Sequence, residues 1–417
     1  MSRILPKSIL DTDLYKFTMQ NAVFRNFADV HAVYRFTNRS KDTTSFSKEC
    51  FEHFKTAVSQ FSQITLSPDE RAWLTKTCPY FPSDYLDYLE NYCFKPEQVD
   101  IDFVPVDDSG SKGHIEITAE GPWVETILWE VPLMACLSET YFTTVDTDWS
   151  YEGQEEIAYQ KGRSLLEAGC VFSEFGTRRR RSFHTQDSLV RQLMRASQDV
   201  PDVGKLTGTS NVFLARKYGL TPIGTVAHEW FMGIAALRGY ENAHDNALDI
   251  WETAYPNATL LALTDTFSTA AFFQVSSFLF NPERAKRWHG LRQDSGDPLA
   301  FAPMAKEVYE KMKIDHREKM IIYSDALTLD KALKLKKQAD EIGFKASFGI
   351  GTYLSNDFVK VSDPNTRSLA LNMVIKLAEV NGIPCVKISD DLNKASQNTG
   401  DREVVDGVKK LFELPLA

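Results

Sequence analysis

Cysteine is scarce in this sequence, six in 417 residues, and no two stand at a C-x-x-C spacing or beside a histidine pair. A zinc site or a disulfide framework is therefore not expected, and free thiols fit a reducing cytosol. Long apolar runs are missing as well. The longest, near Thr269–Leu279 and Val226–Leu237, fall short of the ~18 residues a membrane span needs and carry polar groups. The first ten residues hold two bases and a proline but no apolar core of signal-peptide length. Basic charge is in deficit: 47 Lys and Arg against 57 Asp and Glu give a net charge of −10. A chain so acidic repels a phosphate backbone overall, which disfavours general nucleic-acid binding. An anionic substrate would need its positive charge supplied locally. There is no Walker A loop, so ATP would not be held by a P-loop, and no G-x-S-x-G elbow. The stretch beginning His228-Glu229-Trp230 starts like a zinc-protease motif, but position 232 is Met where the second histidine would stand.

What is present is ordinary globular composition, 43% hydrophobic and 25% charged. The length suits two domains, or one large barrel with an added domain. Residues 1–140 read as a mixed α+β domain, with 370–417 as a candidate to complete it. Asp11 to Asn26 has a helical pattern, and Pro132 opens another helix. His114–Ala119 and Val124–Trp129 alternate around Gly121-Pro122 like a hairpin. From Val171 the texture changes to short apolar runs, each followed by a helical pattern. They begin near Val171, Ile223, Leu260, Gly290, Ile321, Ala346 and Leu369, spaced as βα units are. Residues 141–370 are thus expected to form a parallel, closed or nearly closed α/β barrel. The polar segment Ser389–Gly407 reads as exposed.

In such a barrel the chemistry lies where strands end and helices begin. Glu174-Phe-Gly-Thr177 leads into four arginines, Arg178 to Arg181, which suit a phosphate or carboxylate but on their own read as a solvated basic turn or a targeting patch. Thr207-Gly-Thr209-Ser210-Asn211 precedes a helix, where small hydroxyl residues and backbone N–H groups could meet an anion or could serve as a plain N-cap. Pro222 to Ala227 reads as a strand, with Thr225 near its end. His228 then starts a helix beside Glu229. A phosphate on that imidazole would face free backbone N–H groups, and the carboxylate could orient the ring. A packed, capped histidine is the plain alternative. Asp265 ends another strand, as ribose or Mg²⁺ ligand or as helix cap. Arg292-Gln-Asp294-Ser295-Gly-Asp-Pro298 crowds one Arg, two acids and a glycine before a proline-initiated helix, more than a structural turn requires. Ser324-Asp325 follows a further strand. Gly349-Ile-Gly351-Thr352 stands where late barrel strands often hold phosphate.

Together these segments resemble the nicotinate phosphoribosyltransferase family, in its bacterial and fungal branch. The resemblance rests on Ile9-Leu-Asp-Thr-Asp-Leu-Tyr-Lys-Phe-Thr-Met19, Gly121-Pro-Trp with Trp129-Glu-Val-Pro132, Glu174-Phe-Gly-Thr-Arg-Arg179, Gly208-Thr-Ser-Asn211, Gly224-Thr-Val-Ala-His-Glu-Trp230, Arg292-Gln-Asp-Ser-Gly-Asp-Pro298 and Gly349-Ile-Gly-Thr352. These run almost the length of the chain in the family's order. The resemblance implies an irregular α/β barrel of the type II phosphoribosyltransferases with an N-terminal α+β domain, acting as a homodimer. It implies that nicotinate and 5-phosphoribosyl 1-pyrophosphate are joined in NAD salvage, with ATP as co-substrate, Mg²⁺ as cofactor and no tightly bound organic cofactor.

By the same resemblance His228 is the self-phosphorylated histidine, with Glu229 and Asp294 beside it in catalysis. Tyr15, Thr225 and Arg292 meet nicotinate, and Thr352 meets the phosphoribosyl group. Arg178, Thr209, Ser210, Ser295, Gly349 and Gly351 fall on neighbouring motif positions. Asp265 or Asp294 is the candidate Mg²⁺ ligand. Arg180 and Arg181 receive no role. Neither nucleic acid nor membrane is an expected partner; a cytoplasmic location is expected, with nuclear entry left open. The rival readings are a nicotinamide or quinolinate phosphoribosyltransferase, a sugar-phosphate lyase or isomerase, and a non-catalytic scaffold.

Overall fold

The computed structural model describes residues 4–256, 258, 260–275, 281–391 and 400–415. Part of the apolar run near Thr269–Leu279 and part of Ser389–Gly407 lie outside them. The first sheet contains β1 (His31–Asn38), β2 (Phe46–Ser47), β3 (Val99–Pro105) and β4 (Lys112–Pro122). The chain then builds β5 (Val171–Glu174), β6 (Lys205–Thr209), β7 (Leu261–Leu263), β8 (Gly290–Gln293), β9 (Met320–Tyr323) and β10 (Lys345–Ile350). It continues with β11 (Phe358–Val359) and β12 (Arg367–Ser368), which pair only with each other, and returns to the first sheet as β13 (Met373–Val380) and β14 (Ile383–Pro384).

The six middle strands make one parallel sheet in the order β6-β5-β10-β9-β8-β7. They are short and buried, as parallel strands covered by helices must be; β7 is buried at all three residues. Because all six run the same way, their C-terminal ends share one rim. The ring of strands expected from the sequence stays open between β6 and β7 among the described residues. Pro222–Ala227, expected as a strand, meets β6 through a single bridge, Thr209 to Pro222. Pro222 has no N–H to give a ladder. Gly224 is drawn instead against the N-terminal helix Leu14–Asn26, where a Cβ would lie 2.9 Å from the Tyr15 nitrogen. The run expected to open a last βα unit near Leu369 likewise leaves the barrel: β13 is antiparallel to β1.

The hairpin expected around Gly121-Pro122 lies one element earlier, where β3 and β4 pair antiparallel from Val99↔Ala119 to Pro105↔Gly113. After Pro122 the chain turns into the short helix Trp123–Thr126, whose first N–H bonds Val30 O at 2.7 Å. Proline before a helical turn is well placed, since it fixes the entry angle and the first N–H groups need no helical partner. Ser389–Gly407 is not wholly exposed: Ser389 is buried, and so is Val405 in the helix Arg402–Leu411. No helix among the described residues is long and apolar enough to cross a membrane.

The segment Leu10–Leu14 stitches the N-terminal part to the barrel rim. Leu14 N donates to Ser210 O at 2.8 Å, Val212 N to Thr12 O at 3.0 Å and Phe213 N to Leu10 O at 2.8 Å. Asp11 is fully buried and accepts both arms of the Arg180 guanidinium at 2.7 and 2.9 Å, plus Asn211 Nδ2 at 2.8 Å. Burial alone would raise the Asp11 pKa, but Arg180 and Asn211 hold it below the ordinary carboxylate value. Arg181 is equally buried, donates to Ser368 Oγ and O at 2.8 Å, and lies over the Phe142 ring. Arg179 donates twice to Met373 O, at 3.0 and 2.8 Å. Three of the four consecutive arginines are therefore clamps: Arg179 ties the barrel to β13 of the first sheet, Arg180 to the N-terminal segment and Arg181 to β12.

Replacing Arg180 with Met should leave the buried Asp11 carboxylate without its counter-charge and cost about 3–5 kcal/mol, read as a lowered denaturant midpoint. A midpoint within error of the parent would show that Asp11 does not depend on this pair.

Candidate active site

Four residues from three places in the chain converge on one imidazole. His228 opens the helix His228–Arg238, whose N-cap is Ala227 and which has no side-chain cap. Trp230 N turns back to Ala227 O at 3.1 Å, and the N–H groups of His228 and Glu229 lie at the positive end of the helix without a side-chain cap. His228 Nδ1 lies 3.0 Å from Thr266 Oγ1, beyond the end of β7. Nε2 lies 3.0 Å from Asp294 Oδ2, just past β8, and 2.9 Å from Lys387 Nζ. Asp265 Oδ1 is 3.6 Å from the same nitrogen. The ring is 16% exposed, enough for a reagent to reach it.

Nε2 cannot both donate to Asp294 and accept from Lys387. With the hydrogen on Nε2, Asp294 accepts it and Nδ1 turns a lone pair toward the Thr266 hydroxyl. With the hydrogen on Nδ1, Thr266 accepts it and Lys387 donates to Nε2. Burial pushes the His228 pKa below the usual histidine value; Asp265 and Asp294 oppose this, and Lys387 adds to it. A ring kept neutral at pH 7 retains a lone pair for nucleophilic attack. Asp294 moves the other way. Burial would raise its pKa, but Arg292, His228 and Lys387 together hold it well below the ordinary range, so it stays charged.

Arg292 sits on β8 beside Leu263 of β7 and Ile322 of β9. Its guanidinium donates from Nε to Ser324 Oγ at 2.8 Å, from Nη1 to Thr225 Oγ1 at 2.8 Å and from Nη2 to Asp294 Oδ1 at 2.9 Å. Asp294 thus bridges Arg292 and His228. Gly224, which precedes Thr225, packs on the Tyr15 backbone, and the Tyr15 phenol lies in the field of Glu130 and Arg178. Arg178 is the one arginine of its run that stays open to solvent, at 44% exposure; its Nη1 lies 3.3 Å from Glu130 Oε1. Its field reaches Tyr15, Asp13 and Asp294, each of which acts to keep it charged.

Several expected site residues are engaged otherwise. Glu229 does not reach the His228 ring. Its carboxylate points inward and takes Lys16 Nζ at 2.5 Å, Tyr34 OH at 2.5 Å and Trp123 Nε1 at 3.1 Å, so the ring is oriented by Thr266 and Asp294 instead. Thr209 and Ser210 are buried and their hydroxyls are spent, on Glu174 Oε2 at 2.6 Å and Asp13 Oδ1 at 2.7 Å; neither is free for an anion. Ser295 donates to Asp265 Oδ2 at 2.5 Å and accepts from Asp390 N at 3.0 Å, which makes it a support for Asp265. Gly349 lies under the Phe175 ring and Gly351 against Phe175 O, where a Cβ would come within 2.5 and 2.8 Å. Their smallness is explained by that packing. Thr352 opens the one-turn helix Thr352–Ser355 at the same rim, half-buried.

Sequence reading missed Lys387, Thr266 and Lys16. Lys387 lies outside any strand-to-helix junction, and nothing in its neighbourhood marks it. Lys16 did carry a signal: it is a lone lysine in a helix whose residues from Leu14 to Val23, Tyr15 excepted, are all buried.

Asp265, Asp294 and His228 present ligand atoms within 4.8 Å of one another. Asp265 Oδ1 is buried and has no hydrogen-bond partner among the described residues. An unpaired buried carboxylate oxygen is costly, and oxygen ligands of this kind suit a hard divalent cation.

A family model described as the nicotinate phosphoribosyltransferase (NAPRTase) family matches residues 170–416, and one described as its N-terminal domain matches residues 10–138. Along the chain, similarity reaches 44% identity to nicotinate phosphoribosyltransferase of Saccharomyces cerevisiae, over 98% of this chain and 96% of that one. It reaches 43% to the enzyme of that name from Methanosarcina mazei, over 96% of each. A crystal structure of the same kind of protein from Saccharomyces cerevisiae superposes with a TM-score of 0.94 at 42% identity, over all of both chains.

The charges around the ring set a titration that can be read directly. Lys387→Met removes a cation that depresses the imidazole and should raise the His228 pKa. Asp294→Asn removes a carboxylate that supports the cation and should lower it. Ring-proton NMR titration of the two variants measures both shifts; the opposite signs would contradict this electrostatic account.

Proposed function

The chain belongs to the nicotinate phosphoribosyltransferase family and is a nicotinate phosphoribosyltransferase of NAD salvage, and on that footing we propose that ATP drives the reaction by phosphorylating His228. The observation that carries this reading is the position of His228: a solvent-reachable imidazole at an uncapped helix N-terminus, clamped between Asp294 and Lys387. ATP gives its terminal phosphoryl group to a ring nitrogen and leaves as ADP. The new group brings about −1.5 to −2 charges, which the Lys387 ammonium and the free N–H groups of the helix offset. Water later cleaves the N–P bond, releasing phosphate and restoring the ring.

Transfer itself breaks the bond between ribose C1 and pyrophosphate, while the pyridine nitrogen of nicotinate forms a new one to C1. The ribose passes through an oxocarbenium-like state, as in glycoside hydrolysis. The protein must hold the reactants in line and neutralise the departing charge. Arg178, exposed at the rim, is the residue best placed to meet pyrophosphate. Arg292, braced by Ser324, Thr225 and Asp294, would receive the nicotinate carboxylate with Tyr15 beside it. A nicotinamide ring brings no charge to offset and leaves the guanidinium less well paired, which is the physical basis for preferring the acid. Thr352 is assigned to the phosphoribosyl group on its place at the rim. Asp265 and Asp294 would hold Mg²⁺, which when bound supplies positive charge to the phosphate oxygens. The enzyme acts as a homodimer in the cytoplasm on this reading, with nuclear entry open.

Mass spectrometry after incubation with ATP should find an acid-labile phosphate on His228. The His228→Ala enzyme should lack it, lose ATP stimulation and keep a slow ATP-free transfer. Full ATP stimulation in that variant would overturn the reading. Arg292→Met should raise the KM for nicotinate about 10–100-fold, the worth of a charge-assisted hydrogen bond, and narrow the preference over nicotinamide. An unchanged ratio of the two substrates would remove Arg292 from recognition.

A further inference from the structure

The most deeply buried cation near the site takes no part in the mechanism above. Lys16 is 0% exposed. Its ammonium lies 2.6 Å from Glu130 Oε2 and 2.5 Å from Glu229 Oε2, and both carboxylates are themselves nearly buried. Removing three charges from water is expensive unless each is closely paired. One ammonium between two carboxylates leaves a charge of −1, and the group that balances it is Arg178, through Glu130 Oε1 at 3.3 Å. The Glu130 bond to Lys16 is short and the bond to Arg178 is long. Glu130 is thus fixed from inside and holds Arg178 loosely, so the guanidinium can turn to an anion at the rim without its anchor moving.

The second carboxylate reaches the other half of the site. Glu229 follows His228 in the first turn of its helix. With 3.6 residues per turn, neighbouring side chains point about 100° apart, so fixing Glu229 on Lys16 fixes the direction of the imidazole. Tyr34 and Trp123 fill the other oxygen of Glu229. Lys16 also follows Tyr15 on the N-terminal helix, and its inward anchor sets Tyr15 at the rim by the same geometry.

We propose that Lys16 is a positioning residue that couples the two halves of the reaction: one buried ammonium, bonded to Glu130 and Glu229, sets both the anion-binding arm of Arg178 and the first turn of the His228 helix. This rests on the reading of His228 as the phosphate acceptor. In the resting enzyme the charge of Arg178 and the placement of His228 are balanced through the same cation, so a disturbance at either end is felt at the other.

The test compares Lys16→Met with the triple variant Lys16→Met/Glu130→Gln/Glu229→Gln, each as full-length enzyme. The single variant leaves two buried carboxylates uncompensated and is expected to be less stable. The triple variant removes the charges together, a change that is often neutral for stability. Three quantities are read: the unfolding midpoint, the KM for 5-phosphoribosyl 1-pyrophosphate and kcat without ATP, and the ATP hydrolysed per nucleotide formed. The proposal predicts that the triple variant recovers the midpoint but keeps a KM raised about tenfold, equivalent to about 1.4 kcal/mol, and consumes more ATP per product. Recovery of KM and ATP ratio together with stability would make Lys16 purely structural and overturn the proposal, as would a loss confined to kcat. If Lys16→Met does not fold, the triple variant alone decides by the same readings. If the parent enzyme acquires no phosphate on His228, the functional reading fails, and the ATP-free KM still decides whether Lys16 positions Arg178.

Discussion

The imidazole of His228 is held from three directions, by the Thr266 hydroxyl, the Asp294 carboxylate and the Lys387 ammonium, and the layout of the rim follows from satisfying that ring. Asp294 cannot serve His228 unless it is kept charged, which Arg292 ensures by pairing with its other oxygen. Arg292 in turn needs Ser324 and Thr225 to fill its donors. Lys387 arrives on the segment that leaves β14, and Ile388 N bonds Thr266 O at 2.8 Å, so the chain that delivers the cation also pins the residue holding the opposite side of the ring. A carboxylate and an ammonium against the same nitrogen make the proton position sensitive to any new charge nearby. That is the property a phosphate-accepting histidine needs.

The N-terminal motif is less a binding loop than a fastening. Asp11 takes Arg180, Asp13 takes Ser210, and the backbone from Leu10 to Leu14 runs along the start of the helix Val212–Tyr218. These bonds set Tyr15 against Gly224 and bury Lys16 beneath the site. The basic run 178–181 divides its labour by burial. Arg180 and Arg181 are deep and fully engaged, Arg179 bonds a backbone oxygen, and only Arg178 keeps its guanidinium in solvent. A charge run in a sequence does not show this division, because it depends on partners as distant as Met373 and Ser368.

Local patterns carried much of the architecture and the central site. The parallel strands were visible as short apolar runs near Val171, Gly290, Ile321 and Ala346, and the helix after Asp297 as a proline-started one. The motifs at Asp265 and at Arg292 and Asp294 fall together because they end the neighbouring strands β7 and β8, whereas His228 follows a segment joined to β6 by a single bridge. What failed was whatever needed tertiary partners. Glu229 beside His228 looked like its orienter, yet the helix turns it toward a buried lysine. Thr209 and Ser210 looked like phosphate ligands, yet the carboxylates of Glu174 and Asp13 claim them. β13 looked like a last barrel strand, yet its register fits β1 across more than 300 residues of chain. Lys387 had no local mark at all.

The central claim is that His228 takes a phosphoryl group directly from ATP. Isotope exchange between labelled ADP and ATP, with neither nicotinate nor 5-phosphoribosyl 1-pyrophosphate present, tests it most directly. The account predicts label moving into ATP in the parent enzyme and none when His228 is replaced by Ala. No exchange in the parent enzyme, or exchange that survives the loss of His228, would contradict it.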